Sequence, residues 1–105
     1  MFKAIILLRR KSGTTAAEFR EWWLEQHAPL ARQLPKLQRL CFNLVDTETN
    51  TQYDGVSELW FKTRKDFETA YTSEIGQRVA ADSIANLDSR ERLLVEEHFQ
   101  NSQNS

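Results

Sequence analysis

Short apolar runs alternate along the chain with amphipathic stretches, and the two periods separate cleanly. "FKAIILLR" (Phe2 to Arg9) is short, β-branched and apolar at both parities. Such a run predicts a strand covered on both faces, hence central in its sheet. Ser12-Gly13 supplies a turn, and Thr15 followed three residues later by Glu18 fits a capping box, in which each side chain satisfies an orphan backbone amide. Beyond it Phe19, Trp22, Trp23, His27, Leu30 and Leu34 recur at helical spacings along one stripe. Pro29 lacks an amide donor and crowds the preceding turn, which predicts two helical pieces meeting near His27-Ala28.

Pro35 closes that unit. "LQRLCFNLV" (Leu37 to Val45) reads as a second strand, "DTETNTQ" as an exposed hairpin loop, and "YDGVSELWFK" (Tyr53 to Lys62) as a third strand. Thr63 with Asp66 starts another helix, whose apolar face is Phe67, Ala70 and Tyr71. Ser73 before Glu74 opens a further one to about Leu87. "RERLLVEEHF" (Arg90 to Phe99) is the last strand, and the apolar-free "QNSQNS" predicts a disordered tail over 100–105.

The order β-α-β-β-α-β defines an α+β, ferredoxin-like fold in one domain over residues 1–99. It has an antiparallel four-stranded sheet with helices on one face. Burial then raises a difficulty. Ala4, Ile6 and Leu8 point to one face of the first strand, Ile5 and Leu7 to the other, and helices cover only one. The second face would expose a large apolar patch, which monomers rarely tolerate. A homodimer joined through its sheet faces, a dimeric α+β barrel, resolves this.

Length and composition narrow the picture without changing it. At 105 residues the chain suits one core. With 14 basic and 15 acidic residues its formal net charge is -1, so no strong field favours nucleic acid or an anionic membrane. A lone cysteine, Cys41, forms no intramolecular disulfide and fits a reducing cytoplasm. In "MFKAIILLRRK" the charge follows a short apolar run, the reverse of a signal peptide, and nothing approaches transmembrane length. The expected location is the cytoplasm.

Chemistry has few candidates. Three glycines, at 13, 55 and 76, make neither a dinucleotide nor a Walker pattern, so no cofactor is expected. No paired cysteines or HExxH point to zinc. His27, His98 and a carboxylate lack any diagnostic metal spacing, so no metal is expected either. Catalysis falls to histidine, carboxylates, and Tyr53 or Tyr71.

His27 is the foremost candidate: an imidazole in an apolar cleft opened by Pro29 exchanges a proton near neutral pH. Its plainer role is to cap carbonyls freed by the proline. Glu58 sits mid-strand, where it would orient the imidazole, act as a base, or form a salt bridge between subunits. On strand parity Asp54, Val56, Glu58 and Trp60 share one face, and Gly55, Ser57, Leu59 and Phe61 the other. Asp82, spaced from Ile75 and Val79 by helical steps, either reaches the cleft or caps a neighbouring segment. In "EEH", Glu96 and His98 share a face. Trp22, Trp23 and Trp60 suit a planar substrate, though core packing is their commoner use.

Three segments, "LLRRKSGTTAAEFREWWLEQHAPLARQLPKL", "YDGVSELWF" and "LLVEEH", together resemble the EthD family of the dimeric α+β barrel superfamily, over about Phe2 to Phe99. The tryptophan followed by "HAP" is the most specific piece. The resemblance implies a homodimer with a ligand cavity between sheet and helices in each subunit. It also implies a range of chemistry. The family includes a protein required for bacterial degradation of ethyl tert-butyl ether, and others resembling lactone isomerases and fungal polyketide dehydratases or decarboxylases. The wider superfamily includes cofactor-independent monooxygenases and polyketide cyclases. By the motif match His27 is the acid or base, and Asp54, Glu58 and Trp60 occupy motif positions. Some lactone-isomerising relatives carry a tyrosine on the second strand, where this chain has Leu40 and Phe42.

The leading expectation is therefore a small cofactor-independent enzyme acting on a hydrophobic, aromatic, lactone or polyketide-like compound, as a lyase, isomerase or monooxygenase, in catabolism. His27, Glu58 and Asp82 would be catalytic, and Trp23, Trp60, Asp54 and His98 would bind substrate. The alternative is a non-catalytic small-molecule binding protein of the same fold. A third reading, a structural dimer without ligand, predicts a filled interface between helices and sheet.

Overall fold

The computed structural model describes residues 1–101. Its first strand, β1 (Phe2–Arg10), lies inside a four-stranded antiparallel sheet with β2 (Arg39–Leu44), β3 (Gly55–Phe61) and β4 (Leu87–Glu96), in the order β2-β3-β1-β4. The helical segments are α1 (Ala16–Glu21), a π-helical turn (Trp22–His27), α2 (Ala28–Ala31), α3 (Arg64–Thr72) and α4 (Glu74–Asn86). This is the ferredoxin-like α+β arrangement expected from the chain's periodicity. Of the segment 100–105 predicted as a tail, residues 102–105 lie outside those described.

Helix starts follow the local chemistry. Thr15 and Glu18 form the full capping box, Thr63 accepts from the amide of Asp66, and Ser73 accepts from that of Gly76. Gly76 is required for a steric reason. A Cβ there would lie 2.1 Å from the Ala70 carbonyl oxygen and 2.5 Å from Tyr71 Cα, so only glycine allows the tight corner between α3 and α4.

Two helical pieces meet at His27-Ala28, the junction expected from Pro29. The chain does not leave the helix at His27-Ala28; its hydrogen-bond register changes there. The Ala28 amide reaches back five residues to the Trp23 carbonyl, and α2 resumes with Pro29 in its first turn, where a missing amide is harmless. The wider turn has a packing consequence. An α-helix would set residues five apart about 140° away from each other, whereas here the Trp22 and His27 rings stand 4.9 Å apart on one side.

Alternation decides the two sheet faces. Ala4, Ile6 and Leu8 join the buried core with Phe19, Trp22, Trp23, Leu34, Leu59, Phe61, Phe67 and Val79, under the helices. Directly paired residues share a face, so Lys3, Ile5 and Leu7 lie opposite, with Val56, Glu58 and Trp60 of β3 and Glu91, Leu93 and Val95 of β4. Gly55 faces the helices. A Cβ there would sit 2.7 Å from two atoms of the Trp23 ring, so the missing side chain is the notch in which that indole lies. The last strand begins at Leu87, three residues before the predicted Arg90, because α4 passes into it with no turn between them.

Candidate functional site

The π turn and α4 build the site together. His27 is 5% exposed, and its Nδ1 lies 2.7 Å from Asp82 Oδ2. The same oxygen accepts from Trp22 Nε1 at 3.2 Å, while Asn86 donates to the other carboxylate oxygen at 3.3 Å. Five-residue spacing on the π turn and α-helical spacing on α4 thus converge on one carboxylate. Burial is the dominant influence on His27 and pushes its pKa below 6.5. Asp82 opposes this, and the positive charge of Arg90 adds to it. The ring is therefore neutral at pH 7, and the hydrogen bond to Asp82 assigns the remaining proton to Nδ1. Nε2 keeps its lone pair. No hydrogen-bond partner takes it among the described residues, and it is not sealed from solvent-sized space.

Around His27 lie Trp23, Phe42, Tyr71, Ser57, Ser83 and Arg90, enclosing a cavity of about 10 Å³ between helices and sheet. That is room for about one water molecule. Trp23 and Phe42 close one side, stacked at 4.4 Å and 6°. Burial raises the Tyr71 phenol, and Arg90 and Arg92 pull it back down, so it stays protonated at pH 7. A larger cleft of about 530 Å³ lies outside this layer, between the start of α1 and the β2–β3 loop, with Phe19, Arg10, Tyr53 and Asp54 in its wall.

The structure brings together His27, Asp82 and Trp23 and sets the other predicted residues apart. Glu58 is on the opposite sheet face, so within one chain it does not orient the imidazole. There it pairs with Lys3 at 2.7 Å and accepts from Asn43 at 2.9 Å, and Lys3 holds its carboxyl below the usual range. Trp60 shares this face, between Lys3 at 4.6 Å and Arg39 at 4.7 Å, and donates to Glu97 at 2.9 Å. Asp54 accepts from the Arg10 side chain and backbone amide, both at 2.8 Å, which fixes the start of β3 to the end of β1. His98 is exposed and pairs with Glu96 at 2.5 Å. Among the described residues no three His, Cys, Asp or Glu side chains are placed to hold a metal, and no helix is long and apolar enough to cross a membrane.

Arg90, Ser57 and Ser83 are cavity residues that were not singled out from the sequence. For Ser57 the signal was present, since strand parity already grouped it with Gly55, Leu59 and Phe61. Arg90 had none: it stood at the presumed start of a strand whose true register comes from pairing with β1.

A histidine–carboxylate pair set between helices and sheet marks the chain as a ferredoxin-like α+β protein with a candidate internal site. It belongs to the EthD family, whose domain matches residues 11–90. Solved structures agree on the fold. An ethyl tert-butyl ether (EthD) family protein of Bacillus halodurans superposes with a TM-score of 0.79 at 19% identity, covering 93% of this chain and 100% of that one. A dimeric ferredoxin-like protein of unknown function from Thermobifida fusca gives 0.74 at 15% identity, covering 90% and 88%. An antibiotic biosynthesis monooxygenase gives 0.67 at 16% identity, covering 93% and 99%. No curated protein matches the chain significantly.

Proposed function

We propose that this chain is a small enzyme that moves a proton on a compact hydrophobic, aromatic, lactone or polyketide-like compound, with His27 as base, Asp82 as its orienter and no resident cofactor. The observation that carries the reading is the 2.7 Å contact from His27 Nδ1 to Asp82, which leaves Nε2 as an unpartnered base in the cavity wall. A neutral imidazole in a fixed tautomer is ready to accept a proton, and the carboxylate stabilises the imidazolium that results. Positioned general bases contribute about 10²- to 10⁴-fold. Tyr71, held protonated, is available to donate. A ring-sized substrate requires the Trp23–Phe42 stack or Tyr71 to move, because the resting cavity holds about one water.

A homodimer through the open sheet face belongs to the same proposal. Ile5, Leu7, Val56, Leu93 and Val95 form an apolar band there, Leu93 is 49% exposed, and the Thermobifida relative is described as dimeric. A second reading, non-catalytic binding, draws support from the outer cleft of about 530 Å³. That volume already suits a small molecule, and its wall contains no histidine.

Thermal stabilisation of the wild type and His27→Gln by phenols, quinones and lactones, followed by turnover assays on the hits, separates these readings. An enzyme gives conversion that His27→Gln abolishes, with a pH–rate limb set by His27. A binder returns its ligand unchanged, with affinity indifferent to the substitution.

A further inference from the structure

Arg90 is the one guanidinium in the wall of the His27 cavity. It is opposite Leu8 in the β1–β4 ladder, which puts it on the helix-covered face, and it is partly buried. The other cations drawn into ion pairs have evident partners: Lys3 has Glu58 and Glu97, Arg10 has Asp54, and Arg64 has Glu68. Among the described residues Arg90 has no carboxylate within ion-pair distance, and no acceptor takes any of its N–H groups. Arg92, two residues on, instead spreads over Phe67 at 5.0 Å. A half-buried guanidinium with a planar fork of donors and nothing to bind is matched to an oxygen anion. Its field already reaches both titratable rings of the cavity, lowering His27 and Tyr71 alike.

We propose that Arg90 is the anion-recognising group of the His27 site, and that the compound taken there is an enol or phenol bound as its oxyanion. The proposal rests on the reading of His27 as the base. His27 Nε2 takes the proton of the substrate O–H, and the bonding pair stays on oxygen as an oxyanion. The oxyanion accepts from the Arg90 guanidinium, while the imidazolium is matched by Asp82. One neutral guest thereby converts a separated Arg90 and Asp82 into two neutral ion pairs, with no oxidant or reductant involved. Without Arg90 the new oxyanion would be buried and unpaired, an arrangement proteins avoid.

The test uses two probes of nearly equal shape, 4-nitrophenol and its methyl ether 4-nitroanisole, of which only the first ionises. Binding is followed by tryptophan fluorescence, and the ionisation state by the visible band of the bound phenolate. Expected for the wild type is 4-nitrophenol bound as phenolate, preferred over the ether by about 10- to 100-fold, the range of one charged hydrogen bond. Arg90→Gln removes that preference and the phenolate band but leaves binding of the ether intact, and Arg90→Lys restores part of both. Equal binding of the two probes to the wild type, with the phenol neutral, would overturn the role of Arg90 and leave His27 in a small-molecule site. Equal weakening of both probes by Arg90→Gln would make Arg90 a packing residue and overturn the proposal. Failure of both probes to bind the wild type would overturn the proposal together with the reading of His27 beneath it.

Discussion

Asp82→Asn removes one charge from the centre of the site while keeping its shape. In the wild type a single oxygen of Asp82 faces His27 Nδ1 at 2.7 Å and Trp22 Nε1 at 3.2 Å, and the other faces Asn86 Nδ2 at 3.3 Å. An asparagine cannot satisfy all three donors. With its amide oxygen toward His27 and Trp22, its NH2 confronts the NH2 of Asn86. Reversed, it forces His27 to carry its proton on Nε2, the nitrogen proposed as base. Bonds to a charged acceptor contribute roughly 1 kcal/mol more than bonds to a neutral one, so two weakened bonds amount to about 2 kcal/mol. For a chain of this length that lowers the melting temperature by about 8 °C. Asp82 also supplies the influences that raise the His27 pKa, so its loss moves that value further below 6.5. Calorimetric melting and an NMR titration of the His27 ring check both effects. A variant that melts within about 1 °C of the wild type, with an unmoved His27 titration, would refute the pair.

Three other outcomes follow from the structure. Because the folded pKa of His27 lies below the unfolded value of 6.5, the unfolded chain takes up the proton first. The stability this residue contributes is complete above pH 6.5 and lost as pH falls from there through the folded value, so melting temperatures should decline across that window, with less slope in His27→Gln. Gly55→Ala puts a Cβ 2.7 Å from the Trp23 ring and 3.1 Å from Phe19, and overpacking of this kind costs about 1–3 kcal/mol, measurable by urea unfolding. Val56→Asp places a charge within the open apolar face and should convert a dimer to monomer in sedimentation, whereas a change at exposed Ile84 should not.

The sequence made some parts of this molecule easy to read and hid others, for physical reasons. The continuous β-branched apolar run of β1, and the pairing of threonine or serine with a residue three positions on, depend only on near neighbours, and this strand and these helix starts lie close to where they were expected. The meeting of Asp82 with His27 was partly legible, since the spacing of Asp82 from Ile75 and Val79 already put it beside the buried face of its helix. Glu58 was misjudged as a partner for the imidazole although its own parity opposed Gly55, Leu59 and Phe61. Which parity faced the helices was the missing fact, and tertiary packing supplies it. Pro29 was read through α-helical rules alone, and a register change answers a missing amide as well as a break does. Arg90 was illegible because its neighbours in the cavity come from β1, the π turn, β2, β3 and α3, all remote from it in the chain.

The π turn carries a consequence for how this site changes over time. Removing one residue from Trp22–His27 and closing the turn to α-helical geometry would leave the tryptophan and the histidine four residues apart, about 40° around the axis and still on one side. What would turn the imidazole away from α4 is ordinary α-helical geometry at the present count, which sets the two residues about 140° apart. The residue count and the width of the turn therefore act together, and neither alone fixes where the imidazole points. The present spacing needs the wide turn, and a spacing one residue shorter would need the ordinary α-helix, to bring the same two rings together.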